Sequence, residues 1–258
     1  MKSLVAILFF LFAFAHANEM PKLTINIAWG EPERSFVYDV TQEMFKRAKI
    51  NVLLQDMPNK RSLINANSGV DDGDATRVWE INKYYPNLVP VPVQSFNIDI
   101  VAVTNRDIKI ERVSDLHHYN VGVINGMKIA VLMAEEAKPL SLSKVTKHDT
   151  LLKMLASNRL DVVLVNKASL FNHIDKIKDR GFYLVAKPLM TRPLYLQLHK
   201  KNEKYVPRLQ AALESIHADG TYQRIYDDVF RKLEVELDQA LVIVDRSIKT
   251  GEQKNRGE

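Results

Sequence analysis

Arg77 closes a short extended stretch, Asp74-Ala75-Thr76. A guanidinium at a strand end offers a planar, two-pronged grip on a carboxylate or phosphate, although an ordinary surface arginine reads the same way. Arg61 begins a short helix after the Pro58 turn and brings a second cation toward the same edge. Trp29 and Glu31 occupy the first strand-to-helix turn, where the indole either stacks on a ligand or closes the core. Glu31 is the one acid placed where it could serve as an acid or base. Asn166 ends a buried apolar run and offers both a donor and an acceptor without charge. Its side chain would equally cap the helix that starts at Lys167. Backbone N–H groups just after Gly126, at another helix start, could face an anion.

Other residue groups carry less. Asp71-Asp72-Gly73-Asp74 lacks the ligand spacing and final glutamate of a calcium loop, and reads as a turn into a strand. His117-His118 is a pair whose adjacent side chains should diverge, with no third ligand at a metal-like spacing. The chain has no cysteine, which removes thiol nucleophiles, thiolate metal sites, disulfides and a lipidated N-terminal cysteine together. It has no G-x-S-x-G and no phosphate loop. The expectation is a protein without cofactor or metal that performs no chemistry.

The elements that must position these residues alternate. Leu23 to Ile27, Val52 to Leu54 and Asp74 to Thr76 read as strands, separated by helical spacing from Phe36 to Ala48 and by a short helix from Arg61 to Asn67 capped by Gly69. Strands at Ile98–Thr104, Val121–Ile124 and Asp161–Val165 alternate with helices at Gly126–Glu136, Thr150–Ala156 and Lys167–Lys176. Leu194–His199 is a further extended crossing, followed by helices at Arg208–Ala218 and Tyr222–Lys232. This order predicts two α/β lobes with mostly parallel sheets. Extended segments at Ala102–Asn105 and Arg192–Tyr195 are the expected passages between them.

The N-terminus predicts export. Lys2 precedes an apolar run from Leu4 to Phe14, and Ala15-His16-Ala17 forms an A-x-A cleavage signature before Asn18. The run is too short to span a bilayer, which takes roughly 20 residues. With no anchor expected after cleavage, the periplasm of a two-membrane cell is the expected compartment. The net charge is +5, one unit of which leaves with Lys2. Acids and bases interleave along the chain, which argues against a nucleic-acid surface and for a mildly basic cleft facing an anionic or carboxylate-bearing solute. From Lys249 onward the chain is polar and is expected to be disordered.

Leu209, Ala212-Leu213, Ile216, Asp219-Gly220-Thr221, Ile225 and Phe230 together resemble the closing segment of bacterial extracellular solute-binding protein family 3, the polar amino-acid receptors of ABC importers. Leu63 to Arg77, with Gly69, Asp71 and Thr76-Arg77, resembles the first-lobe region of that family in shortened form. Leu116, Val121-Gly122-Val123 and Gly126 resemble the opening of the second lobe, and Leu155, Arg159 and Asp161 the helix and strand that follow.

The resemblance implies a two-lobed periplasmic binding protein fold of type II, each lobe a mostly parallel sheet flanked by helices, with two crossing strands as hinge. Lobe 1 would hold residues 18–103 and 194–248, and lobe 2 residues 104–193. It implies ligand contacts at Trp29, Glu31, Arg61, Thr76, Arg77, Gly126, Met127 and Asn166. Two positions depart from the family. Its ammonium-holding acid is replaced by Asn166, and its Gly-Thr helix start reads Gly126-Met127. The implied protein is a monomer that delivers its solute to an inner-membrane ABC permease. The alternatives are the ligand-sensing partner of a membrane signalling protein, and a dehydratase-like enzyme that uses Glu31.

Overall fold

The computed structural model describes residues 21–244. The expected signal segment and cleavage site, and the tail from Lys249, lie outside the described residues.

Strands β1 (Lys22–Ile27), β2 (Asn51–Asp56) and β3 (Gly73–Arg77) pair in parallel in the order β2-β1-β3. Helices α1 (Glu33–Arg47) and α2 (Asn59–Ser68) connect them. Leu23, Ile25 and Ile27 alternate along β1 into the core, where each fully buried side chain contributes about 1.5–3 kcal/mol. Between them Asn26 is also fully buried; its amide donates to Asp71 and its oxygen accepts from Gln55, at 3.0 and 2.7 Å. Gly69 ends α2 in the left-handed conformation, as its sequence position predicts.

The chain then runs through β4 (Leu88–Pro90) into β5 (Phe96–Thr104), which lies in a second sheet. There β6 (Asn120–Ile124), α3 (Lys128–Ala137), β7 (Ser141–Val145), α4 (His148–Ala156) and β8 (Val162–Asn166) form a right-alternating unit with parallel order β7-β6-β8. Helices α5 (Lys167–Phe171) and α6 (Ile174–Ile177) replace the single expected helix after Lys167. β9 (Tyr183–Val185) pairs antiparallel with β5.

β10 (Met190–His199) belongs to both sheets. Residues 190–194 pair with β5, while Tyr195, Gln197 and Leu198 pair with β3. That passage falls on the expected Arg192–Tyr195. The other falls at residues 91–95, upstream of the expected Ala102–Asn105, because Ala102 to Thr104 are held in the ladder with β8.

The C-terminal part contains α7 (Val206–Ala218), α8 (Thr221–Ala240) and β11 (Val242–Val244). α7 and α8 pack on α1, and α8 continues onto α5 and α6 before β11 pairs in parallel with β9. One buried cluster therefore runs from Ile25 and Phe36 through Phe230 and Leu237 to Val101 and Val163. A separate cluster, including Ile100, Leu164 and Met133, fills the α3 face of the second sheet. Among the described residues no helix is long and apolar enough to cross a membrane.

Candidate ligand cleft

In open α/β sheets, ligands bind beyond the carboxyl ends of the strands. Here β1 and β3 end at Ile27 and Arg77, and β6 and β8 end at Ile124 and Asn166. Trp29 follows β1, and its indole N–H donates to Thr76 Oγ1 at 2.5 Å while its ring meets Phe96 edge-on at 5.7 Å. Trp29 and Thr76 are thus brought together.

Arg77 is engaged by its own side of the molecule. It donates to Asp74 Oδ2 at 2.5 Å and to Asn59 Oδ1 at 2.6 Å, and its Nε is buried without a partner among the described residues. Asp74 is 1% exposed and also accepts from Ser62. Nη2 spends both of its N–H groups, on Asp74 and the Asn59 carbonyl, whereas Nη1 spends one on Asn59 Oδ1 and keeps one for a carboxylate.

The expected acid is displaced by two residues. Glu31 is exposed and turns back on α1, accepting from Ser35 Oγ at 2.6 Å. Glu33, in the first turn of α1, is 6% exposed, and its Oε1 accepts from Asn166 Nδ2 at 3.1 Å. Asn172 Nδ2 donates to the Glu31 carbonyl at 2.7 Å, a second bond between the β1–α1 junction and the β8–α6 region. Burial raises the Glu33 carboxyl above the ordinary carboxylate range, opposed by its backbone N–H and by the Asn166 amide. No cation pairs with it among the described residues.

Asn166 takes the capping role its sequence allowed and spends its amide nitrogen on Glu33. Its Oδ1 accepts from the Ala168 N–H at 3.4 Å, capping α5, while its Nδ2 reaches Glu33. An aspartate here would set two carboxylates face to face.

Among the described residues Arg61, Gly126 and Met127 form no hydrogen bond with these side chains. Arg61 is exposed on α2. Gly126 is exposed in the turn before α3, and a Cβ added there would meet nothing within 4 Å. Met127 precedes the first residue of α3 and packs half-buried against both clusters.

Sequence reasoning missed Glu33 and Trp79. Glu33 lies three and four residues before Phe36 and Val37, so the helical period already placed it on the buried face. Trp79 follows β3, is 43% exposed, and meets Tyr195 edge-on at 5.0 Å.

The remaining groups take structural parts. Asp71 accepts from Asn26 and Asn65, and Asp72 from the Thr24 N–H and Asn202. The rings of His117 and His118 lie side by side, 3.5 Å between centroids, rather than diverging.

No family model matches the chain. It is 26% identical over 143 residues to a probable histidine-binding protein of Neisseria gonorrhoeae, and spans about half the length of that curated relative (53% of each chain). The fold is similar to that of a probable amino-acid ABC transporter extracellular-binding protein from Bacillus subtilis, with TM-score 0.68 and 15% identity over 82% of this chain and 98% of that one. It is also similar to the unliganded, open L-cystine solute receptor of Neisseria gonorrhoeae, with TM-score 0.63 and 16% identity over 83% and 94%. A histidine kinase sensor domain resembling periplasmic binding proteins gives TM-score 0.61 and 13% identity over 83% and 97%. These likenesses agree with the resemblance read in the sequence and show the fold: the chain has the two-lobed periplasmic binding-protein fold.

Proposed function

We propose that this protein is a periplasmic receptor that closes on a small polar, carboxylate-bearing solute and hands it to an ABC importer. The observation that carries this reading is the pair of bonds between the two strand-end regions, Asn166 to Glu33 and Asn172 to the Glu31 carbonyl. Such bonds form only when the two halves meet, and a solute between them would exchange for or reinforce them. The lobe division we adopt follows the strand pairing: residues 21 to about 93 and from Tyr195 through α7 on one side, the intervening residues on the other.

Thr76, Arg77 and the N–H groups at the start of α3 are the proposed carboxylate contacts, with Trp29 as an apolar wall. Glu33 adds a negative site that the sequence did not offer, so a zwitterion fits the cleft as well as an organic acid. The similarity to a sensor domain favours, as a second reading, a ligand-sensing role for the same closing movement.

A thermal-shift screen of the exported protein against polar metabolites tests the reading. A true solute at 100 times its Kd adds about 2.7 kcal/mol to stability. Small-angle scattering with that solute should show a smaller radius of gyration than the free protein. Failure of every carboxylate-bearing solute to stabilise the fold would refute it.

A further inference from the structure

A half-open pocket of about 190 Å³ lies behind strand β5, between the start of α5 and the first half of α8. Taking about 30 Å³ for a water in liquid, it holds roughly six waters or a ligand of similar bulk. Asn97 and Asp99 share the α8-facing side of β5 with Val101 and Val103, while Ile100 and Ala102 belong to the cluster on the opposite face. The cavity is thus on the other side of this strand from the α3 face.

Its walls are aromatic on one side and carry the Asp99 carboxylate on the other. Tyr226 and Phe230 line it from α8, with ring centroids 4.9 Å apart, and Phe171 adds a third ring from α5. Opposite them, Asn97 Oδ1 is buried and has no hydrogen-bond partner among the described residues. The Asp99 carboxylate accepts from Thr191 Oγ1 at 2.6 Å and is in no ion pair among the described residues. The one cation at the rim, Lys167, is matched by Glu234 at 2.8 Å, and Glu234 also accepts from Tyr226 at 2.9 Å. One negative charge therefore borders a small pocket walled by rings, while Asn97 Oδ1 lies sealed beneath the pocket surface. Aromatic faces and a carboxylate together select an organic cation.

We propose that this cavity is a second binding site, separate from the cleft, for a small monoamine with an apolar or aromatic body. Its ammonium would donate to Asp99, and its body would lie against Tyr226 and Phe230. Asn166 borders the cavity while bonding Glu33, so the occupant sits directly behind the residue that bridges the two halves.

The test is a calorimetric titration of the exported protein with benzylammonium, with benzyl alcohol as the uncharged comparator, alongside Asp99→Asn and Ala168→Leu. Ala168 lines the cavity, and leucine there would fill it without adding charge. Thermal melts establish that both variants are folded. The expected result is saturable binding of benzylammonium, at least about tenfold weaker for benzyl alcohol and in Asp99→Asn, and blocked in Ala168→Leu. No saturable binding to the wild type overturns the proposal. So does equal binding of the alcohol, or binding that survives Ala168→Leu unchanged.

Discussion

Asn166→Asp introduces the acid that the sequence resemblance implies at this position, and the structure predicts that it is harmful here. The substitution keeps a good N-cap for α5, so capping is not what changes. It replaces the donor to Glu33 with a second acceptor at about the same 3.1 Å separation. Losing a hydrogen bond to a charged group costs about 1.5–3 kcal/mol. Two unit charges about 4 Å apart add about 4 kcal/mol of repulsion at an effective dielectric constant of 20. The total is capped, because the pair can instead bind a proton. Protonating a carboxyl of ordinary pKa near 4.3 at pH 7 costs about 3.7 kcal/mol, at 1.36 kcal/mol per unit.

Asn166→Asp should therefore lower stability by about 3 kcal/mol at pH 7, read by urea denaturation without solute. The pair has a raised pKa in the fold, so this penalty is present above that pKa and disappears as pH falls toward the ordinary carboxylate range. Glu33→Gln in the same chain restores a donor from the other side, and the double variant should return to within about 1 kcal/mol of wild type. An Asn166→Asp protein as stable as wild type at pH 7, or one that Glu33→Gln leaves unrescued, would refute the bridge.

Arg77→Ala should lower affinity for the true solute about 10- to 150-fold. Independently, it should lower stability by about 3–5 kcal/mol, because Asp74 is left buried without its partner. A folded variant with intact affinity removes Arg77 from the solute contact. Gly73→Ala should cost on the order of 1–3 kcal/mol in urea denaturation, since its Cβ would lie 2.3 Å from the Gln197 carbonyl, backbone that cannot swing away. Gly126→Ala, where nothing lies within 4 Å, should melt within about 0.5 kcal/mol of wild type.

The fold was legible because its signals are local. Alternation in Leu23–Ile27, the helical period of Phe36, Val40 and Met44, and Gly69 as a cap all follow from nearest neighbours. The short strands β4, β7, β9 and β11 were not legible, because three to five residues with partly exposed faces carry no period of their own. The passage into β5 was misplaced for a related reason: Ala102 to Thr104 read as strand wherever the sheet boundary falls, and only the pairing with β8 decides it. The sequence placed Trp29, Thr76 and Asn166 at strand ends, which is where they lie. Glu33 was missed because a carboxylate in a first helical turn reads as a favourable charge at the positive end of the helix dipole. Its burial depends on Asn166, 133 positions away.

α8 is a 20-residue rod, about 30 Å long, fastened to α1 and α7 of one half and to α5 and α6 of the other. It acts as a torsion bar between the two halves. Rotation about its length strains little, whereas wide gaping must first unlace the three-residue ladder of β11 on β9. In the proposed closing movement, how far and how fast the halves part would then be set partly by Glu234, Leu237 and Val242–Val244, none of which needs to touch the solute. Under the proposed function, substitutions there would retune the rate of release while leaving selectivity alone, so that two properties would be adjustable in two separate stretches of chain.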